Sequence, residues 1–203
     1  MTYFVTAIGT DCGKTLTSAI LCEALHADYW KPVQSGPPRD TETVRSLVSN
    51  PVTAFHPEQY VLKTPVSPHA AARIDGVSLK ISSFRIPQTR NTLIIEGAGG
   101  CLVPINDEEF IVDLIDAFKA EVILVSNLYL GSINHTLLTL EALQRRQLTI
   151  KGLIFNGDSN PESERIILHH AKAKCLMRIN KESVIDREVV KKYASLLNAE
   201  WNG

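Results

Sequence analysis

Tyr3-Phe4-Val5-Thr6-Ala7-Ile8-Gly9-Thr10-Asp11-Cys12-Gly13-Lys14-Thr15-Leu16 is the stretch that decides how the rest of the chain is read. Residues 3–8 form a short apolar run with β-branched members, as expected of a strand covered on both faces. From Lys14 onward apolar residues return at helical spacing, so strand, loop and helix follow one another without a break. A helix opening directly after such a loop offers unpaired N–H groups and the positive end of its dipole to a phosphate. Gly13 lets the backbone come close, Lys14 can span the β- and γ-phosphates, and the Thr15 hydroxyl can ligate Mg²⁺. Strict G-x-x-x-x-G-K-[ST] spacing asks for glycine at position 8, where Ile8 stands; Gly9 comes one residue late. The strand–loop–helix context therefore carries the phosphate-loop reading more than the letters do.

Working outward, further strands are expected over residues 28–31, 93–96, 121–126, 150–156 and 175–179. Helices are expected to open near Lys14, Thr41, Ile111, Asn134, Pro161 and Asp186. This alternation predicts an α/β fold: a P-loop NTPase-type doubly wound, mainly parallel sheet with helices on both faces. Residues 51–87 are Pro-rich and are expected to hold loops and short helices over the active edge. With no repeat, low-complexity tract or linker, the 203 residues read as one domain. Residues 186–201 place Val189, Val190, Tyr193, Leu196, Leu197 and Trp201 at helical spacing beside Lys191 and Lys192. A final helix packed on the sheet is the simpler account; a membrane-binding amphipathic helix is the other.

A net charge of −1 with 21% charged residues gives no footprint for a polyanion, so nucleic acid is not an expected partner. No apolar run reaches the ~18–20 residues of a membrane span. Met1-Thr2-Tyr3-Phe4-Val5 lacks the basic region of a signal peptide. Cys12, Cys22, Cys101 and Cys175 are scattered, with no C-x-x-C pair, and read as reduced thiols of a cytoplasmic protein. Cys22 lies in the apolar stripe of the first helix and reads as a small buried hydrophobe.

Two more segments belong to the same chemistry. Leu93-Ile94-Ile95-Glu96-Gly97-Ala98-Gly99-Gly100 ends a buried strand in a carboxylate and a glycine-rich turn. An acid there can hold Mg²⁺ opposite the loop threonine, and the glycines keep side chains away from phosphates. Lys31-Pro32-Val33-Gln34-Ser35-Gly36, followed by Arg39-Asp40-Thr41, closes another strand. Lys31 either neutralises phosphoryl oxygens or is a solvated loop lysine. Asp40 either adds a metal carboxylate or N-caps the helix at Thr41, and both roles are compatible.

Taken together, these pieces resemble the dethiobiotin synthetase family. The matching segments are Thr10 to Thr15, the KPVQSG of Lys31 to Gly36, Ser67-Pro68-His69, the EGAGG of Glu96 to Gly100, Leu130-Gly131-Ser132-Ile133-Asn134-His135, and Asn156. The resemblance implies ATP-dependent carboxylation and ring closure of 7,8-diaminopelargonic acid with CO₂, with Mg²⁺ as cofactor. It also implies roles. Lys31 contacts the carbamate and γ-phosphate, and Lys14 the phosphates. Thr15, Asp40 and Glu96 hold Mg²⁺, while Ser35, with Ser67, meets the diamine. Thr10, Asp11, Cys12, Gly13, Leu16, Gly97, Ala98 and Gly99 complete the ATP site, with Asn156 at the adenine. Gly131, Ser132, Ile133 and Asn134 reach the substrate tail from the other subunit of a homodimer. From the residues alone, Ser132 or Asn134 is equally an N-cap, and Asn156 a turn residue.

Three departures from the family pattern stand out. Ala7 replaces the glycine that opens the loop, and the connection from Gly36 to Asp40 is short. Cys175-Leu176-Met177-Arg178-Ile179-Asn180-Lys181 occupies the region where the family carries its adenine loop, so looser base recognition is expected. Two rivals on the same fold are a partner-switching ATPase of the partitioning type and a small-molecule kinase. The first usually carries an extra lysine early in the loop, and the second an Arg-rich lid; neither feature is present.

Overall fold

The structure, a computed structural model, describes residues 1–201. In chain order the strands are β1 (Thr2–Ala7), β2 (Asp28–Trp30), β3 (Val33–Ser35), β4 (Phe55–His56), β5 (Tyr60–Leu62), β6 (Leu93–Glu96), β7 (Glu121–Asn127), β8 (Ile150–Asn156) and β9 (Cys175–Ile179). The helices are α1 (Lys14–Leu25), α2 (Asp40–Leu47), α3 (Pro68–Asp75), α4 (Ile111–Ala117), α5 (Ser132–Arg145), α6 (Pro161–Ala171) and α7 (Arg187–Trp201). Seven strands form one sheet in the order β4-β2-β6-β1-β7-β8-β9, every pairing parallel, as the alternating pattern predicts.

Each interior strand feeds two cores because successive side chains point to opposite faces. Tyr3, Val5 and Ala7 join Tyr29, Ile94, Ile123 and Val125 under α1 and α7. Phe4 instead joins Trp30, Leu93, Ile95, Val122 and Leu124 under α4, α5 and α6. Fully burying one such side chain stabilises by about 1.5–3 kcal/mol, so the two cores dominate the fold's stability. The last helix packs on the sheet: Val190, Tyr193, Leu197 and Trp201 are buried, and the Trp201 ring meets Tyr3 edge-on at 5.1 Å. Its apolar stripe is thus covered, apart from Leu196, which is exposed. No helix among the described residues is long and apolar enough to cross a membrane.

Residues 51–87 differ in part from expectation. Besides α3 and a short 3₁₀ turn they hold two brief strands, β4 at the sheet edge and β5 paired with β3. Strands of two or three residues have too few positions to show a period of two, so their signal is lost among prolines.

Candidate active site

The carboxyl ends of β1, β2 and β6 are neighbours in the sheet, and each delivers one piece of the site. After β1 the chain turns through Gly9 to Gly13 into α1. Gly13 has φ +93°, and a Cβ there would stand 2.3 Å from Asn156 Nδ2, so glycine is required twice over. Asn156, at the end of β8, donates from Nδ2 to the Cys12 carbonyl at 2.9 Å and so braces the loop from the far side. Lys14 folds back over the loop and donates to the Gly9 carbonyl at 3.2 Å.

After β2 comes Lys31, and at the end of β6 comes Glu96; both are buried. The Lys31 ammonium lies 2.6 Å from Asp40 Oδ2 and 3.2 Å from Glu96 Oε1, and donates to the Gly97 carbonyl at 3.3 Å. The Thr15 hydroxyl lies 3.2 Å from Asp40 Oδ1 and 3.0 Å from Glu96 Oε1, and its single proton serves only one of them at a time. A hydroxyl and two carboxylates thus converge on one point, with a lysine standing in as their cation. Such an all-oxygen set suits a hard divalent cation. Among the described residues no group of three His, Cys, Asp or Glu could cage a metal alone, so further oxygens must come from a ligand or water.

Burial favours the neutral form of both lysines. For Lys31 the attraction of Glu96 and Asp40 more than reverses this and holds the ammonium above its usual range. For Lys14 burial prevails, reinforced by Lys31 and only partly offset by Glu96, so its pKa is lowered. Cys12 is pushed up by burial, with Lys14 opposing, which keeps the thiol protonated and poorly reactive.

The cavity over these groups has a volume of about 830 Å³ and is lined by Thr10, Asp11, Cys12, Gly13, Lys14, Thr15, Lys31, Ser35, Asp40, Ser67, Glu96, Ala98 and Gly99. Gln34, Pro65, Val66, Pro68 and Val103 line it as well; Gln34 and Pro68 fall inside matching segments but carried no assigned role, and the other three were not singled out. Ser35 ends β3 and its buried hydroxyl has no protein partner. Leu16, Gly97 and Asn156, also expected in the ATP site, do not line this cavity. Gly131, Ser132, Ile133 and Asn134 lie outside this cavity, at the start of α5, with Gly131 and Asn134 exposed.

Two side chains missed by the sequence reading organise the carboxylates. Gln34 donates from Nε2 to the Gly36 and Pro38 carbonyls at 2.8 and 3.2 Å, and its Oε1 accepts from the Asp40 N–H at 3.2 Å. That clamp is how the short connection from Gly36 still delivers Asp40 to Lys31. Asp40 itself opens α2, with Arg39 at the cap position making no side-chain cap bond. Tyr29, one turn of the pleat before Lys31, donates to Glu96 Oε2 at 3.0 Å. Burial, with Glu96 and Asp40 adding to it, holds the Tyr29 hydroxyl well above the usual phenol range. From sequence Tyr29 reads as an ordinary strand position, and Gln34 as part of the segment after that strand with no role of its own.

Fold and loop together define an ATPase of the P-loop class. A family model described as an AAA domain matches residues 1–189. Solved structures of similar fold include a ParA family ATPase from Chlorobium tepidum (TM-score 0.54, 12% identity, 98% of this chain and 96% of that one). A plasmid partition protein from Borrelia burgdorferi gives 0.58 at 9% identity, covering 99% and 96%. At such identities the likeness concerns fold alone. Sequence goes further: the chain is 57% identical over 98% of both lengths to the ATP-dependent dethiobiotin synthetase of Cytophaga hutchinsonii. It is 51% identical to that of Christiangramia forsetii, over 95% of this chain and 93% of the relative. The chain belongs to the dethiobiotin synthetase family of ATP-dependent ligases.

Proposed function

We propose that the chain catalyses ATP-dependent carboxylation and ring closure of 7,8-diaminopelargonic acid with CO₂, giving dethiobiotin, ADP and phosphate. One amine adds to CO₂ and loses a proton, forming a carbamate. A carbamate oxygen attacks the γ-phosphorus and ADP leaves. The second amine then attacks the carbonyl carbon of the resulting carbamic-phosphoric anhydride, expels phosphate and closes the ureido ring. Each step is an addition or displacement whose barrier falls with alignment and with neutralisation of negative oxygens. The observation that carries this reading is Lys31: a buried ammonium paired with Asp40 and Glu96 that lines the same cavity as the phosphate loop and Ser35.

In this reading Lys14 sits on the phosphates and Lys31 bridges the carbamate and γ-phosphoryl oxygens. Ser35, its buried hydroxyl lacking a protein partner, meets the diamine, helped by Ser67, which lines the same cavity. Mg²⁺ fits the oxygens of Thr15, Asp40 and Glu96, and when bound it neutralises charge on the transferring phosphoryl group. Gly131, Ser132, Ile133 and Asn134 serve a second copy of the chain, completing its site across a homodimer interface. Supporting this, the adjoining Tyr129 and Leu130 are exposed, and the open end of α5 suits the substrate's carboxylate. The enzyme works in the cytoplasm. The test is phosphate release with diaminopelargonic acid and ATP, with and without bicarbonate. Strict dependence is expected; release indifferent to bicarbonate overturns the synthetase reading in favour of a kinase or simple ATPase.

A further inference from the structure

We propose that Tyr29 is a positioning residue that fixes how Glu96 presents itself to the divalent cation. Strand β2 pairs with β6 so that Tyr29 lies opposite Ile94 and Trp30 opposite Ile95. Lys31 and Glu96 therefore leave their strands side by side. The two oxygens of Glu96 are divided: Oε2 accepts the Tyr29 hydroxyl at 3.0 Å, while Oε1 faces the Thr15 hydroxyl and the Lys31 ammonium. The Tyr29 ring is fully buried and lies against Phe55, centroids 6.2 Å apart, so the hydroxyl cannot swing away without opening the core. Without that donor the Glu96 carboxylate is free to rotate and spread both oxygens over Lys31 and Thr15. With it, a single oxygen points into the site and the other is spent. Partners that orient a metal-binding carboxylate in this way typically contribute 10–100-fold to metal affinity.

The inference rests on the reading of Glu96 as a metal ligand, and the experiment separates the two. ADP binding to the full chain is measured calorimetrically, with and without Mg²⁺, for the wild type, Tyr29→Phe and Glu96→Gln. Tyr29→Phe keeps the ring and removes only the hydroxyl. It is expected to reduce the Mg²⁺-dependent gain in ADP affinity about tenfold and to leave the metal-free affinity unchanged. A purely structural role would weaken binding equally in both conditions, and that result, or an unchanged gain, overturns the proposal. If Glu96→Gln abolishes the gain while Tyr29→Phe does not, the positioning role alone fails. If neither variant alters it, Glu96 is not a ligand and both readings fall.

Discussion

Replacing Lys31 by Met tests whether the site is a balanced charge cluster awaiting a cation. The lysine side chain is 4% exposed, Glu96 1% and Asp40 30%, so Lys31→Met leaves one fully buried carboxylate and one partly screened one without their ammonium. Removing one partner of a buried ion pair costs roughly 3–5 kcal/mol. The exposure of Asp40 argues for the low end, about 3 kcal/mol. At about 2–4 °C per kcal/mol for a chain this size, the melting midpoint should fall by about 6–12 °C. Lys31 is held above its usual pKa, so its contribution is complete below the unfolded value, about 10.4, and is lost only as pH rises through the higher folded value. The deficit of the variant should therefore be flat between about pH 6 and 9. Mg²⁺ without nucleotide should restore much of it, since a dication at 100 times its Kd stabilises by about 2.7 kcal/mol. The wild type, whose lysine already fills that role, should gain little. Differential scanning fluorimetry across Mg²⁺ concentrations reads both effects. A fall below about 2 °C, or equal Mg²⁺ stabilisation of both proteins, refutes the charge-cluster account.

Three other outcomes are expected. The Ile179 carbonyl is taken by the Gly157 N–H and the Asn180 N–H by Tyr193, which leaves little backbone at the end of β9 to read a base. GTP and CTP should therefore support turnover within about tenfold of ATP, a difference of ~1.4 kcal/mol, and rates far lower at equal concentration would contradict this. Gly13→Ala places a Cβ against Asn156 in a backbone region alanine avoids, at a cost of about 1–3 kcal/mol in local strain; ADP affinity by calorimetry should drop at least tenfold, and an unchanged value would show that the loop yields. Asp28 accepts from the Ala54 N–H, Thr89 and Asn91 and faces His56, and these bonds outweigh burial to lower its pKa. Its stabilisation is present above the unfolded value of about 3.9 and lost as pH falls through the lower folded value. Asp28→Asn, which sets a donor against donors, should cost about 1–3 kcal/mol at pH 7 in urea melts, the gap to wild type narrowing toward pH 3; a gap independent of pH would refute the assignment.

The sheet was legible because a strand covered on both faces must be apolar at nearly every position, and β1, β6, β7 and β8 each announce themselves in that way. Glu96 and Lys31 were legible for the complementary reason: each is a charge that ends an apolar run, placed by topology at the edge where α/β sheets bind ligands. What sequence could not convey is how those charges are held. Tyr29 looks like an ordinary strand residue and Gln34 like a member of a loop segment, and their roles exist only because β2 and β3 bring them within 3.2 Å of Glu96 and the Asp40 N–H. The same holds for Asn156, which the sequence offered as a base reader or a turn residue and which braces the phosphate loop through Cys12.

These hidden contacts account for the departures that seemed to weaken the site. The short connection from Gly36 to Asp40 leaves little freedom for the acid, but a clamp of three hydrogen bonds from one glutamine makes freedom unnecessary. Ala7 in place of glycine adds a methyl group, and that methyl is fully buried in the core beneath α1 and does not line the cavity. Phosphate binding asks for a row of N–H groups at a helix start and a cation beside it more than for a particular run of letters. Gly13 and Lys14 stand where such groups are needed, with Asn156 bracing the loop at Cys12 and Glu96 and Asp40 paired with Lys31.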